Sequence, residues 1–232
     1  MRGEAVMLPW IQLDSATIPG ENGELRLKQR GSEFSIMLGA NELMNSRLSG
    51  SEEALATLSW DRIKAHPKPR MLIGGLGMGF TLRAALAVLP EDAGVTVAEL
   101  VPAVVAWARG PMAEVFQGCL DDPRVGIHQG DVGEAIRSGK GAYDAILLDV
   151  DNGPDGLTRK SNDRLYDFAG LRAAGDALRP GGVLAVWSSG PDLDFTRRLK
   201  GSGFAVDAVN TRANGKRGGA RHVIWLAVKP VE

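Results

Sequence analysis

Residues 70–83 read Arg70-Met71-Leu72-Ile73-Gly74-Gly75-Leu76-Gly77-Met78-Gly79-Phe80-Thr81-Leu82-Arg83. The apolar run Met71-Leu72-Ile73 enters a turn in which four of six positions are glycine: Gly74, Gly75, Gly77 and Gly79. Behind it Leu82, Ala85, Leu86 and Leu89 recur at helical spacing. The stretch predicts a strand, a glycine turn and a helix. Glycines there let the backbone approach a ligand that a side chain would push away. The start of the following helix would aim unpaired N–H groups at that ligand. The turn is therefore expected to bind a ligand and not merely to connect two elements.

Outward from this turn, strands and helices alternate toward the C-terminus. Strands are expected over 71–74, 95–98, 125–128, 145–149, 183–188, 204–209 and 223–228, and helices over 81–89, 102–109, 132–137, 163–178 and 192–200. Pro102 occupies a favoured first helical position, with Val101, Val104, Val105 and Ala108 on one face. Ala145-Ile146-Leu147-Leu148 is apolar throughout, as suits a strand covered on both faces. The alternation implies an α/β fold, a seven-stranded mixed, mostly parallel, doubly wound sheet. The last two strands follow one another without a helix and should form an antiparallel edge hairpin, joined by a long loop over 210–222.

Residues 1–69 read differently, as a small β-rich extension ahead of a domain over 70–232. Segments 25–29 and 34–38, separated by Arg30-Gly31-Ser32-Glu33, predict a β-hairpin. Ser51-Glu52-Glu53-Ala54 reads as a helix start, and His66-Pro67-Lys68-Pro69 ends the segment before the first parallel strand.

With 232 residues, 44% of them hydrophobic, the chain can bury a full-sized core. A net charge of −1 gives no global pull toward nucleic acid or membrane. Cys119 is the single cysteine and His66, His128 and His222 are scattered, so neither a disulfide framework nor a metal site is expected. No apolar run is long enough to span a bilayer and no leader pattern opens the chain, which makes the cytoplasm the expected location. Arg212, Lys216, Arg217 and Arg221 lie close together without interleaved aromatics and read as a solvated hairpin loop, not a nucleic-acid surface. Trp187 and Cys119 read as packing residues.

Two phosphate-binding patterns fail. Gly-Lys occurs at Gly139-Lys140 and Gly215-Lys216, but no hydroxyl residue follows either. The dinucleotide pattern Gly-x-Gly-x-x-Gly begun at Gly75 would need glycine at Phe80. Three acidic positions at later strand ends point elsewhere. Glu99, twenty residues past Gly79, would sit beside the first turn, where a carboxylate can accept both vicinal hydroxyls of a ribose. Asp131 in Gln129-Gly130-Asp131 can cap the next helix or accept from an adenine amino group. Asp149-Val150-Asp151-Asn152-Gly153-Pro154-Asp155 gathers three carboxylates, which repel one another unless a cation such as an amine substrate joins them.

Five motifs in order carry a resemblance across residues 70–190: Gly75-Leu76-Gly77-Met78-Gly79; Ala98-Glu99-Leu100-Val101-Pro102; Asp121-Asp122-Pro123-Arg124-Val125 leading to Gln129-Gly130-Asp131; Tyr143-Asp144-Ala145-Ile146-Leu147-Leu148-Asp149; and Leu178-Arg179-Pro180-Gly181-Gly182. Together they resemble the class I S-adenosylmethionine-dependent methyltransferase fold and are most similar to its spermidine synthase branch. The resemblance implies that Gly74, Gly75, Gly77 and Gly79 hold the amino-acid or aminopropyl portion of S-adenosylmethionine or its decarboxylated form. It also implies that Glu99 holds the ribose, that Asp131 and Val132 frame the adenine, and that Asp149 orients and deprotonates an attacking amine, with Asp151 as a second acid. The chain departs from the branch at Gly77, where the family carries an aspartate, and in the loop Asp149-Val150-Asp151-Asn152, where the family reads Asp-Ser-x-Asp before a proline. Only two tyrosines are present, Tyr143 and Tyr166. These departures make methyl transfer to a small amine-like acceptor the leading expectation, with aminopropyl transfer to a polyamine as the alternative and a non-catalytic nucleoside-binding module as a third. A homodimer is compatible with the sequence.

Overall fold

The computed structural model describes residues 8–20, 22–150, 163–215 and 218–231. Its N-terminal part is a four-stranded antiparallel meander of β1 (Ile11–Thr17), β2 (Glu24–Arg30), β3 (Glu33–Leu38) and β4 (Asn41–Asn45). The expected hairpin is the β2–β3 pair, in register at Leu27 and Ile36. The outer strands were not expected. The residues of β1 are exposed except for Ala16, and β1 carries a bulge between Gln12 and Asp14; β4 is mostly polar. An edge strand with little buried surface leaves no alternation to read. Asp14 on β1 accepts a 2.6 Å hydrogen bond from the indole of Trp107, which lies on the helix over 102–109 that follows the second parallel strand.

The larger sheet has the order β10-β11-β9-β8-β5-β6-β7. Its strands are β5 (Arg70–Gly74), β6 (Gly94–Glu99), β7 (Val125–Gln129), β8 (Tyr143–Leu148), β9 (Leu178–Ser188), β10 (Ala205–Arg212) and β11 (Arg221–Val228). Strands β5 to β9 run parallel, and β11 and β10 add antiparallel at one edge. The seven strands and the edge hairpin match the expectation. The final loop is shorter than expected because the ladder runs on to pair Arg212 with Arg221; Lys216 and Arg217 lie outside the described residues.

The helices are α1 (Gly50–Ile63), α2 (Phe80–Val88), α3 (Pro102–Arg109), α4 (Ala113–Phe116), α5 (Val132–Ser138), α6 (Asp163–Tyr166), α7 (Phe168–Ala177) and α8 (Leu193–Gly201). Periodicity alone predicted one helix over 163–178. The chain breaks at Asp167, whose side chain instead caps α7 by accepting from the Gly170 amide at 2.7 Å. Helix α1 packs against α2, β8 and β9, so it belongs to one covering layer of the larger sheet.

Alternate residues of the central strands feed two cores. Met71 and Ile73, Ala145 and Leu147, and Val183 and Ala185 face the layer holding α1 and α2. Leu72, Ile146, Leu148, Leu184 and Val186 face the layer holding α5, α7 and α8. Two buried faces explain why these strands read as unbroken apolar runs. The order β8-β5-β6 places successive crossovers on opposite sides of β5, which opens a crevice at the strands' C-terminal ends. No helix of the described residues is long and apolar enough to cross a membrane.

Asp144 pins the opposite end of the sheet. It is 1% exposed and accepts from the Arg70 amide at 2.7 Å and from Arg179 Nη1 at 3.0 Å, and it lies 2.8 Å from His66 Nδ1. Replacing it with alanine leaves the Arg70 N–H unpaired, so Asp144→Ala should lose about 2–3 kcal/mol of unfolding free energy. Denaturant melts measure this, and an unchanged midpoint would contradict it.

Candidate active site

The four glycines divide by what surrounds them. A Cβ at Gly74 would press on Val132 and Leu148, and one at Gly79, where φ is +75°, would meet the buried Phe116 ring at 2.5 Å. These two permit close packing. Gly75 and Gly77 line the cavities, and a Cβ at Gly75 would come within 2.9 Å of the Asp149 carbonyl oxygen. Three of the turn's amides are engaged within the protein. Gly75 N–H donates to Ala98 O at 2.8 Å, Leu76 N–H to Glu99 Oε2 at 2.9 Å, and Gly79 N–H to Leu76 O at 2.9 Å. These three amides are occupied; the amides of Gly77, Met78 and the first turn of α2 are not among them.

Glu99, at the end of β6, is buried and faces the turn. Its second oxygen accepts from the Val101 amide at 2.8 Å, so both oxygens are fixed by backbone donors. Each carboxylate oxygen carries a further lone-pair site. Asp131 caps α5, accepting from the Gly133 and Glu134 amides at 2.6 and 3.2 Å through one oxygen. That leaves the other oxygen outside the cap. Glu99, Asp131 and Val132 line one apolar compartment together with Leu25, Leu43 and Val101.

A second compartment lies beside the first and shares Leu43, Met44, Gly75, Gly77 and Asp149 with it. Its other walls include Glu52 from α1, Thr81 from α2 and Trp187 from β9. Asp149 therefore stands at the junction. Its Oδ2 accepts from the Thr81 hydroxyl at 2.9 Å. Removal from water, and next the charge of Glu52, push the Asp149 carboxyl up to about 7, against a smaller lowering by Thr81. Among the described residues, no lysine, arginine or histidine lines either compartment.

Glu52, Thr81, Met44 and Trp187 were not among the expected site residues. Glu52 read as an ordinary acid of a helix start, and only the packing of α1 on α2 brings it to the turn. Met44 comes from the unexpected β4. Asp151 lies outside the described residues. Cys119 is buried in a separate groove along α2 that none of the turn glycines line. Burial pushes its thiol up to about 11, which leaves it a poor nucleophile. Gly79→Ala should destabilise the protein by about 2–5 kcal/mol through backbone strain and the clash with Phe116. A thermal melt matching the parent would show that the turn does not hold this conformation.

No protein-family model matches the chain. Over 125 residues, 54% of its length, the chain is 34% identical to a polyamine aminopropyltransferase of Nitrosomonas europaea. Over 131 residues it is 31% identical to polyamine aminopropyltransferase 2 of Hyperthermus butylicus. The chain spans 36% and 41% of the lengths of these two curated relatives. Among solved structures, the spermidine synthase of Thermotoga maritima superposes with a TM-score of 0.72 at 20% identity, covering 95% of this chain and 73% of that one. A spermidine synthase in complex with the transition state analogue AdoDATO gives the same TM-score at 21% identity and the same coverage. The chain thus has the fold of the solved spermidine synthases, and over about half of its length its sequence is similar to polyamine aminopropyltransferases.

Proposed function

We propose that the protein transfers an aminopropyl group from decarboxylated S-adenosylmethionine to a small polyamine, with Asp149 as the general base. The observation that carries this reading is the charge of the paired compartments. Glu99 and Asp131 line one, Glu52 lines the other and Asp149 lines both, with no cationic side chain among the described residues. A donor bearing an amino-acid carboxylate would meet like charge there. A decarboxylated donor, cationic at both sulfur and amine, and a cationic acceptor suit the same walls. The names of the relatives point the same way. Methyl transfer from the carboxylated donor, the leading expectation from sequence, has less support on both grounds.

In this reading the nucleoside lies in the compartment of Glu99, Asp131 and Val132, and the acceptor enters beside Asp149. The acceptor ammonium gives a proton to the Asp149 carboxylate. The freed lone pair forms the new N–C bond to the donor methylene. The C–S bond breaks, its electron pair returns to sulfur, and a neutral thioether nucleoside leaves. A carboxyl that titrates near neutrality matches this task, since it is ionised enough to accept the proton and basic enough to take it.

Incubation with decarboxylated donor and 1,4-diaminobutane should release the thioether nucleoside, with kcat/KM rising as pH increases through about 7. Asp149→Asn should lower kcat on the order of 10²–10⁴-fold. The same substitution should also stabilise the fold at alkaline pH. The folded carboxyl titrates well above an ordinary aspartate at about 4, so the stability of the neutral form is present below about pH 4 and lost as pH rises through about 7. Unaltered turnover in Asp149→Asn would remove the base assignment, and a lower melting temperature than the parent at pH 8 would contradict the burial argument.

A further inference from the structure

Glu52 has no role in the reaction as written above, yet its side chain is held with care. It projects from the first turn of α1 into the acceptor compartment. Its Oε2 accepts from the buried Ser51 hydroxyl at 2.7 Å, and Ser51 Oγ lies 2.9 Å from His222 Nδ1 on β11. His222 in turn packs edge-on against Trp187, with centroids 4.7 Å apart. Trp187 lines the same compartment, and its indole nitrogen is shielded from solvent with no hydrogen-bond partner among the described residues. Thr81 joins the two acids, with its hydroxyl 2.9 Å from Asp149 Oδ2 and 3.5 Å from the Glu52 backbone oxygen. Glu52 thus lines the same compartment as Asp149, with its carboxylate held by Ser51.

We propose that Glu52 is the second carboxylate of the acceptor compartment, sharing one proton with Asp149 in the free enzyme and holding the acceptor's ammonium against Asp149 in the complex. This rests on the amine-acceptor reading above and adds a residue to it. Two acids side by side in a partly dry cavity do not both ionise readily, so one proton stays with the pair until a cation replaces it. Burial, foremost, raises Glu52, with a further contribution from Glu53 on the same helix. Burial lowers His222, so its ring stays neutral near pH 7 and adds no positive charge to the pair. Among the described residues, these are the titratable groups that face the pair from α1 and β11; Thr81 on α2 and Trp187 on β9 bring none. Entry of the diamine displaces the shared proton to solvent, and the ammonium nearest Asp149 then gives up its own proton in the transfer step.

Two measurements test this. Calorimetry of 1,4-diaminobutane binding in buffers of different ionisation heat counts the protons released. The wild type should release up to about one proton near pH 7. Glu52→Gln should release markedly fewer, raise KM for the diamine on the order of ten-fold or more, and shift the acid limb of kcat/KM to lower pH. A circular-dichroism spectrum and a thermal melt report that this variant is folded. If donor affinity and turnover persist while the acid limb, KM and proton count all match the wild type, Glu52 is structural and the proposal is overturned. If the wild type releases no proton on binding the diamine, the shared-proton claim is overturned without reference to any variant. If the wild type binds neither donor nor diamine, the aminopropyl reading fails, and the role of Glu52 fails with it.

Discussion

Bare backbone at Gly75 is what lets the turn after β5 lie against the end of β8. With any side chain there, the Cβ would sit 2.9 Å from the Asp149 carbonyl oxygen. The approach has three consequences. Asp149 stands at the mouth of both compartments. The first turn of α2 follows at once and delivers the Thr81 hydroxyl to Asp149. The Leu76 amide turns toward Glu99 on β6, so the acid at the end of that strand shapes the turn as well as lining the cavity. A sheet whose order reverses at β5 supplies the crevice, and the glycine supplies the depth.

The acids around this crevice do different physical work. Glu99 and Asp131 are anchored by backbone N–H donors, which hold the oxygens in place. Asp149 accepts from the Thr81 hydroxyl and faces another carboxylate, and its ionisation is costly. Folding has placed an acid where it is least comfortable charged, which is the arrangement that suits a base working near neutrality. The meander contributes from above. Met44 on β4 lies 3.4 Å from where a Cβ of Gly77 would stand, so the roof over the turn is apolar where the family carries an acid.

The sheet was legible because its central strands are buried on both faces, which leaves continuous apolar runs such as Ala145 to Leu148 with no competing helical period. Helix α3 announced itself through Pro102 at its first position. Strands β1 and β4 escaped because edge strands bury little and β1 is bulged. The break between α6 and α7 escaped because Asp167 sits inside an otherwise periodic segment and acts as a cap. In the site, Glu99, Asp131 and Asp149 were visible as acids at the C-terminal ends of predicted strands. Glu52 was not, since its place depends on how α1 packs against α2, a tertiary contact with no local pattern. The glycine turn was legible as a turn, but which glycines line the crevice and which face Phe116 or Val132 depends on neighbours distant in the chain.

The central claim is that this crevice is built for a cationic donor without a carboxylate. The most direct measurement is a pair of calorimetric titrations of the wild-type protein, one with S-adenosylmethionine and one with its decarboxylated form. The acids lining the crevice predict at least about ten-fold tighter binding of the decarboxylated donor, a difference of about 1.4 kcal/mol. Equal or tighter binding of the carboxylated donor would contradict that account of the cavity and return methyl transfer to first place.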